Sequence, residues 1–387
     1  MTLSAEQQAL LRLSLTDGIG PVTGRGLVEH FGSAVALYST SKSELAEAPG
    51  VGRKLASLIH DTARTDRLLT EQCLLLEQEE QRGHPVRLIF SDDPDYPQPL
   101  NHCADAPLVL YERGSLPADA PMIAVVGTRR CTPYAEDTLR YIIGEWAKVC
   151  PELVIVSGLA YGVDALGHRL AIENGLRTVA VLAHGLHTIY PAAHRELAHQ
   201  ICATGGALLS EYPLGTKPLP QRFISRNRIV AGLSLGTVVA ESPVKGGAMV
   251  TASLAFEYGR EVYAIPGRLF DHTSEGCNKL IARQKATILD DPLELLQMLG
   301  IADPEPDAKG TPLPFEPEDE SVQDNPILRE LAQHEELSLS DLSSRIGEPV
   351  STVSAMLFGL ELDGQIRSLP GGRYRLIRRC LLAKISF

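Results

Sequence analysis

Between residues 120 and 300 the chain alternates short β-branched runs with helical stretches, and no other feature limits its fold as tightly. Strands are expected at Ile123–Val126, Val154–Val156, Val179–Leu182, Ala207–Leu209, Thr237–Ala240, Glu261–Ile265 and Thr287–Leu289. Helical runs lie between most of them, as at Tyr134–Val149, Asp164–Asn174 and Ala193–Ala203. Strands joined by helical crossovers pair in parallel and need cover on both faces. The expected fold is therefore α/β, an extended Rossmann-like parallel sheet between helical layers. Ahead of it, Leu68–Glu80 reads as helix, and Val86–Phe90 and Leu108–Tyr111 read as strands that extend the same sheet.

Ligands of such sheets sit at the carboxyl ends of the strands. The turns found there are small, rich in glycine and several times cationic: Gly127-Thr-Arg-Arg, Ser157-Gly-Leu-Ala-Tyr-Gly, His184-Gly-Leu-His, Ser210-Glu-Tyr-Pro, Glu241-Ser-Pro-Val-Lys-Gly-Gly and Pro266-Gly-Arg. No strand is followed by G-x-G-x-x-G with an acidic residue at the right distance, and no G-x-x-x-x-G-K-[ST] occurs. A dinucleotide enzyme and a P-loop ATPase are thereby disfavoured, and no cofactor is expected.

Residues 222–247 concentrate the chemistry. Arg222, Arg226 and Arg228 crowd one segment with Phe223 and Asn227. A strand then ends on Glu241, and Lys245-Gly246-Gly247 open a helical run from Ala248 to Tyr258. A glycine pair between strand and helix lets backbone N–H groups approach an anion at the positive helix end. Guanidinium groups suit phosphate, and a phenylalanine among them offers a face for a base. The combination points to a phosphate-rich ligand. The competing reading pairs the arginines with carboxylates and leaves the glycines as a tight turn. Phe223 has the same alternative as a core residue.

The net charge of −12 argues against nucleic acid only if it is evenly spread. It is not. Eight acidic residues fall between 303 and 324 against the single Lys309, interleaved with Pro304, Pro306, Pro312, Pro314 and Pro317. That composition reads as a solvated linker over 301–324, so a face elsewhere can be basic. Seven scattered cysteines without metal-ligand spacing fit a reduced cytosol. The N-terminus lacks the blocks of a signal peptide, and no apolar run has the length of a membrane span.

Residues 1–65 read as all-helical. Asp17-Gly-Ile-Gly-Pro-Val and Ala48-Pro-Gly-Val-Gly-Arg each place G-h-G before a helix, resembling a helix-hairpin-helix pair in a SAM-like domain. Such turns expose backbone N–H groups to a DNA backbone, with Arg53 and Lys54 following in the second copy; equally, they serve a module that docks another subunit. Residues 325–387 hold three helices (Pro326–Gln333, Leu339–Ile346, Val350–Leu362) and a hairpin, the pattern of a winged helix. Its third helix carries no Lys or Arg, whereas the wing and tail carry Arg367, Arg373, Arg375, Arg378 and Arg379. A protein-contact role is favoured over sequence reading. The sheet unit between these two spans 66–300.

Seven ordered blocks resemble the DNA-processing protein A family (DprA, also called Smf): VVGTRRCTPY (125–134), VSGLAYGVDALGH (156–168), AVLAHGLHTIYP (180–191), LLSEYPLG (208–215), FISRNRIVAGLS (223–234), KGGAMVTASLAFEYGREVYAIPG (245–267) and GCNKLI (276–281). The resemblance implies a cytoplasmic protein of natural transformation that binds incoming single-stranded DNA through its extended Rossmann domain. It further implies dimerisation through that domain, loading of the RecA recombinase and no catalysis. Carried over, it places Arg129 at a phosphate-binding position, in the turn with Gly127, and Phe223 at a stacking position. Arg226, Asn227 and Arg228 line the groove, and Gly246 and Gly247 close it. The strand-end turns and the basic segment add Ser157, Gly158, Arg222 and Lys245 as candidate contacts. Three positions where family members often carry a cation hold Tyr161, Ala192 and Pro220, with Arg222 and Arg195 as candidate substitutes.

The rival class is an enzyme. Gly246, Gly247 and Thr251 at the head of a helix also resemble nucleotide phosphoribohydrolases of the lysine-decarboxylase-like group. Those need a carboxylate poised for N-glycosidic cleavage, for which Glu257 is the candidate; the plainer reading makes Glu257 a surface ion-pair partner. His168, His184 and His187, near strand ends, read as loop or packing residues. A third reading is a structural adaptor built on the winged helix and linker.

Overall fold

The computed structural model describes residues 3–302, 325–334, 337–362, 365–369 and 372–376. The chain divides into two compact units, Met1–Pro304 and Glu305–Phe387.

In the first unit, nine strands form one sheet: β1 (Arg87–Phe90), β2 (Val109–Gly114), β3 (Met122–Gly127), β4 (Val154–Ser157), β5 (Arg177–Val181), β6 (Ala207–Ser210), β7 (Gly236–Glu241), β8 (Glu261–Ala264) and β9 (Thr287–Ile288). Their order is β1-β2-β6-β5-β4-β3-β7-β8-β9. From β6 to β9 every pairing is parallel, while β2 runs antiparallel to β6 and β1 to β2. Residues 66–115 thus extend the sheet, as expected. The chain proceeds outward from β3 to β6 and then crosses back to place β7 on the other side of β3. That reversal is a topological switch point, where an open α/β sheet forms a crevice.

The strands are apolar on both faces because both are covered. Ala124, Val126, Val156 and Val181 face the helices Pro220–Leu233 and Gly247–Glu257. Ile123, Val125, Ile155 and Val238 share the opposite core with Leu139, Ile143 and Trp146 of helix Pro133–Val149 and with Leu170 of helix Val163–Glu173. The expected strand and helix positions hold to within a few residues.

The N-terminal helices Pro21–Phe31 and Arg53–His60 each start on a glycine, Gly20 and Gly52, as the repeated hairpin requires. They are not isolated from the sheet. Leu10, Leu13, Leu27, Leu37 and Ile59 share one buried cluster with Leu88, Val109 and Tyr111 of β1 and β2. The helix expected at Leu68–Glu80 begins earlier, at Thr62, and runs to Gln81.

The second unit has the three expected helices and a small sheet in which the strand Arg373–Leu376 lies between Leu337–Ser338 and Ile366–Leu369. Ile327, Leu331, Leu342, Val353, Leu357 and Ile366 fill its core. The acidic tract at 303–324, the tail with Arg378 and Arg379, and the side chains of Arg367 and Arg375 lie outside the described residues.

Candidate nucleic-acid interface

A cleft of about 600 Å³ opens where the order of strands reverses, at the carboxyl ends of β3, β4 and β7. Three turns make its floor and the helices Pro220–Leu233 and Gly247–Glu257 flank it.

The turn after β3 is held by Glu241, the last residue of β7. Its carboxylate accepts from Thr132 N and Thr132 Oγ1, both at 3.0 Å, and its carbonyl accepts from Thr128 N at 2.7 Å. The turn after β4 docks against the first one. Val163 N donates to Thr128 O at 3.1 Å. A Cβ on Gly162 would stand 2.2 Å from that same carbonyl, and one on Gly127 would stand 2.5 Å from Val163 Cγ2, so both positions need glycine. Arg129 at the tip of the first turn is exposed, with no hydrogen bond or ion pair from its guanidinium among the described residues. It remains available to a ligand.

The second turn is closed from below. Arg226 is 3% exposed, and its Nη1 donates to Gly158 O at 2.7 Å and also to Val181 O. A Cβ on Gly158 would meet the guanidinium at 2.4 Å. Asp164 lies beneath the same turn and accepts from Gly158 N at 3.2 Å and Ala160 N at 3.3 Å. Burial pushes its carboxyl above the usual carboxylate range, and the Arg226 charge and the two N–H groups pull it back. Leu159 between them takes a left-handed φ of 56°, a strained value for a leucine. Its carbonyl is held by His194 Nδ1 at 2.8 Å. Over-determined strain of this kind clusters at functional sites.

The third turn is open. A Cβ on Gly247 would meet nothing within 4 Å, whereas one on Gly246 would strike Ser242 Oγ at 2.2 Å. Met249 N donates to Gly246 O at 3.1 Å, whereas the amides of Gly247 and Ala248 precede the first bonds inside helix Gly247–Glu257, and both residues line the cleft.

Helix Pro220–Leu233 sorts the residues expected to bind. At 3.6 residues per turn, Phe223, Arg226 and Asn227 lie within roughly 60° of Phe223, and Arg228 is turned roughly 140° away from it. Phe223 and Asn227 are half-buried in the cleft wall, and Asn227 Nδ2 donates to Gly247 O at 3.4 Å. The exposed ring of Tyr190 stands opposite, its centroid 5.7 Å from that of Phe223.

Four of the expected positions lie outside the cleft lining. Arg228 is buried and pairs with Glu211 at 2.5 Å and Asp105 at 3.7 Å, because its face of the helix looks away from the cleft. Arg222 folds back over the Tyr212 ring, 5.3 Å from its centroid, and donates to Lys217 O, so it does not replace a missing cation in the cleft. Ser157 is fully buried and spends its hydroxyl on Val125 O at 2.6 Å. Lys245 is exposed on the same loop as the glycines but outside the cleft lining. Gly127, Arg129, Gly158, Phe223, Arg226, Asn227, Gly246 and Gly247 do come together. Of the positions without a family cation, Pro220 lines the cleft, while exposed Tyr161 packs edge-on against His194 at 4.9 Å.

The family model for DNA recombination-mediator protein A matches residues 87–300, which hold the whole sheet and all three turns. Protein Smf of Escherichia coli (strain K12) is 37% identical over 319 residues, covering 78% of this chain and 80% of its own. The chain belongs to the DNA recombination-mediator protein A family. Protein Smf of Synechocystis is 33% identical over 96% of this chain and 99% of its own. The crystal structure of DNA processing protein A (DprA) from Streptococcus pneumoniae superposes with a TM-score of 0.62 at 31% identity, covering 76% of this chain and 98% of that one. Flanking family models match a SAM-like helix-hairpin-helix tandem at 10–65 and a DprA winged helix domain at 311–372.

Residues that the sequence reading missed are Tyr190, Asp164, Pro218 and Ile224, all in the cleft lining. Tyr190 lies in the AVLAHGLHTIYP block, where nothing marks it as a neighbour of Phe223. Asp164 lies in SGLAYGVD, 62 positions before Arg226, and nothing in the string marks the two as neighbours. His168 and His184 are buried packing residues, and His187 is an exposed loop residue. Burial drives His168 down to about 3, and its Nδ1 lies 2.6 Å from Thr178 Oγ1. His184 Nδ1 is 3.0 Å from Gly185 O, and His187 Nδ1 accepts from Gly215 N at 3.0 Å. Among the described residues no helix is long and apolar enough to cross a membrane.

Proposed function

We propose that this chain binds single-stranded DNA across the switch-point cleft, holding phosphates rather than reading base identity. The observation that carries the reading is a cleft lined by two neighbouring aromatic rings, Phe223 and Tyr190, above a floor that presents exposed Arg129 and the open Gly247. Rings stack on any base. A guanidinium and helix-terminal amides take a phosphate without regard to sequence. In this reading the strand is incoming DNA of natural transformation, kept in the cytoplasm and passed to RecA by a homodimer formed through the sheet unit. Those last roles are supported by the family resemblance alone.

Oligo-dT and a mixed-sequence oligonucleotide should bind with similar affinity, with a slope of log K against log salt of about −0.7 per neutralised phosphate. Arg129→Glu should weaken both alike and flatten that slope. A changed sequence preference with an unchanged slope refutes the role of Arg129. Phe223→Ala should cost binding roughly 1–3 kcal/mol per stacked base and leave the salt slope as it was. A large fall in melting temperature with unaltered affinity would make Phe223 a packing residue.

An enzyme reading has less to stand on. Glu257 is exposed and outside the cleft lining. Asp164 does line the cleft, but its carboxylate holds two backbone N–H groups. Incubation with nucleoside monophosphates should release no free base.

A further inference from the structure

The turn that follows β8, next in the sheet after β7, carries the two most exposed large apolar side chains among those described: Leu269 at 80% and Phe270 at 92%. Loop tips ordinarily hold Gly, Asn, Asp or Ser, so this pair needs a reason. The loop is firmly built. Asp271 N donates to Arg268 O at 3.2 Å, closing a four-residue turn with Leu269 and Phe270 at its two central positions. Asn278 clamps Gly267 from both sides, Oδ1 accepting from Gly267 N at 3.1 Å and Nδ2 donating to Gly267 O at 3.0 Å.

The same loop is tied to the cleft. Tyr134 Oη, on the helix that starts after the Arg129 turn, donates to Pro266 O at 2.8 Å. Gly276 N donates to Ser242 O at 2.8 Å, next to Pro243 of the cleft lining. The carboxyl ends of β3 and β8 are separated by two strand spacings, about 10 Å. A strand stacked at about 3.4 Å per nucleotide covers that distance in about three nucleotides. Arg268, Lys245 and Arg130 are exposed around this path, with no carboxylate partner among the described residues. Asp271 lies on the same loop, and Glu275 is neutralised by Lys279 at 2.7 Å.

We propose that the Leu269–Phe270 tip is a second stacking platform, which receives bases of a single strand leaving the cleft toward β8. It rests on the cleft being the primary site, and it makes occupancy depend on length: a short oligonucleotide fills the cleft, and a longer one also reaches the tip.

The test is fluorescence anisotropy on the full chain with dT3 and dT20, comparing Phe270→Ala, Phe223→Ala and the unaltered protein, with sedimentation of each variant. Phe270→Ala should leave dT3 unchanged and weaken dT20 about tenfold, within the range for one stacked base, at the same salt slope. Phe223→Ala should weaken both lengths. If Phe270→Ala leaves dT20 unchanged, the platform does not exist. If it lowers the oligomeric mass without altering dT20 binding, the tip is a contact between copies and the proposal is wrong. If Phe223→Ala affects neither oligonucleotide while Phe270→Ala weakens dT20, the cleft reading fails by itself.

Discussion

Two glycine turns at the carboxyl edge of the sheet look alike in the sequence and do opposite things. In Ser157-Gly158-Leu159-Ala160 the space that a Cβ would occupy belongs to the protein's own Arg226. In Lys245-Gly246-Gly247 the space beside Gly247 is not taken by any of the described residues. The first turn is sealed, charged from below and strained at Leu159; the second is an open helix start. A glycine after a strand therefore does not by itself announce a ligand. What separates the cases is whether another side chain has reached the spot first.

That contrast can be broken most severely at Arg226. Arg226→Met removes the charge that offsets buried Asp164 and frees the carbonyls of Gly158 and Val181. Removing one partner of a buried charge arrangement costs about 3–5 kcal/mol, and chemical denaturation should show a loss of that order. A loss below about 1 kcal/mol would mean that the turn does not depend on Arg226.

Gly158→Ala pushes a methyl into the guanidinium and should cost about 1–3 kcal/mol, the usual range for overpacking. The double change with Arg226→Met should cost less than the sum of the two. Strict additivity would show that the clash is with something else.

His168 sharpens the claim that the first turn is sealed. Its folded-state pKa is depressed to about 3 from an ordinary 6.5 by burial, so the unfolded chain binds the extra proton first. The stability it contributes is complete above about 6.5 and is lost as pH falls toward about 3. The slope is at most ~1.4 kcal/mol per pH unit. Replacing it by glutamine should flatten that limb of a pH–stability curve; an unchanged limb would place the titration elsewhere.

The smallest effect on stability belongs to Gly247→Ala. Its φ is not left-handed and its surroundings are empty, so alanine should be neutral or stabilise by about 0.4–1 kcal/mol. Binding of single-stranded DNA should fall all the same, because the methyl fills the approach to the helix start. Unchanged affinity would remove the open turn from the site.

Much of the molecule was legible in the one-dimensional pattern. The alternation of apolar strands and amphipathic helices has only one common solution, a parallel sheet covered on both faces, and the strands and helices it names lie close to where the periodicity puts them, but helix Pro220–Leu233 is not among them. The turns at strand ends were visible because glycine marks unusual backbone whatever surrounds it. The blocks of the family were visible because they are strings.

Tertiary structure alone decided which way each side chain points and what it meets. Arg226 and Arg228 are two residues apart, and a helix sends them to different neighbours, one beneath a turn 68 positions away and the other to Glu211. Ser157 stands at a strand end like a ligand contact, but its hydroxyl donates to the carbonyl of Val125 on the adjoining strand. Tyr190 and Phe223 meet only because β5 and helix Pro220–Leu233 converge on one edge. The physical reason is common to all of these. Periodicity and composition report what a residue can do within a few positions of itself, whereas a buried charge or a ring contact depends on partners that only the packed chain brings within reach.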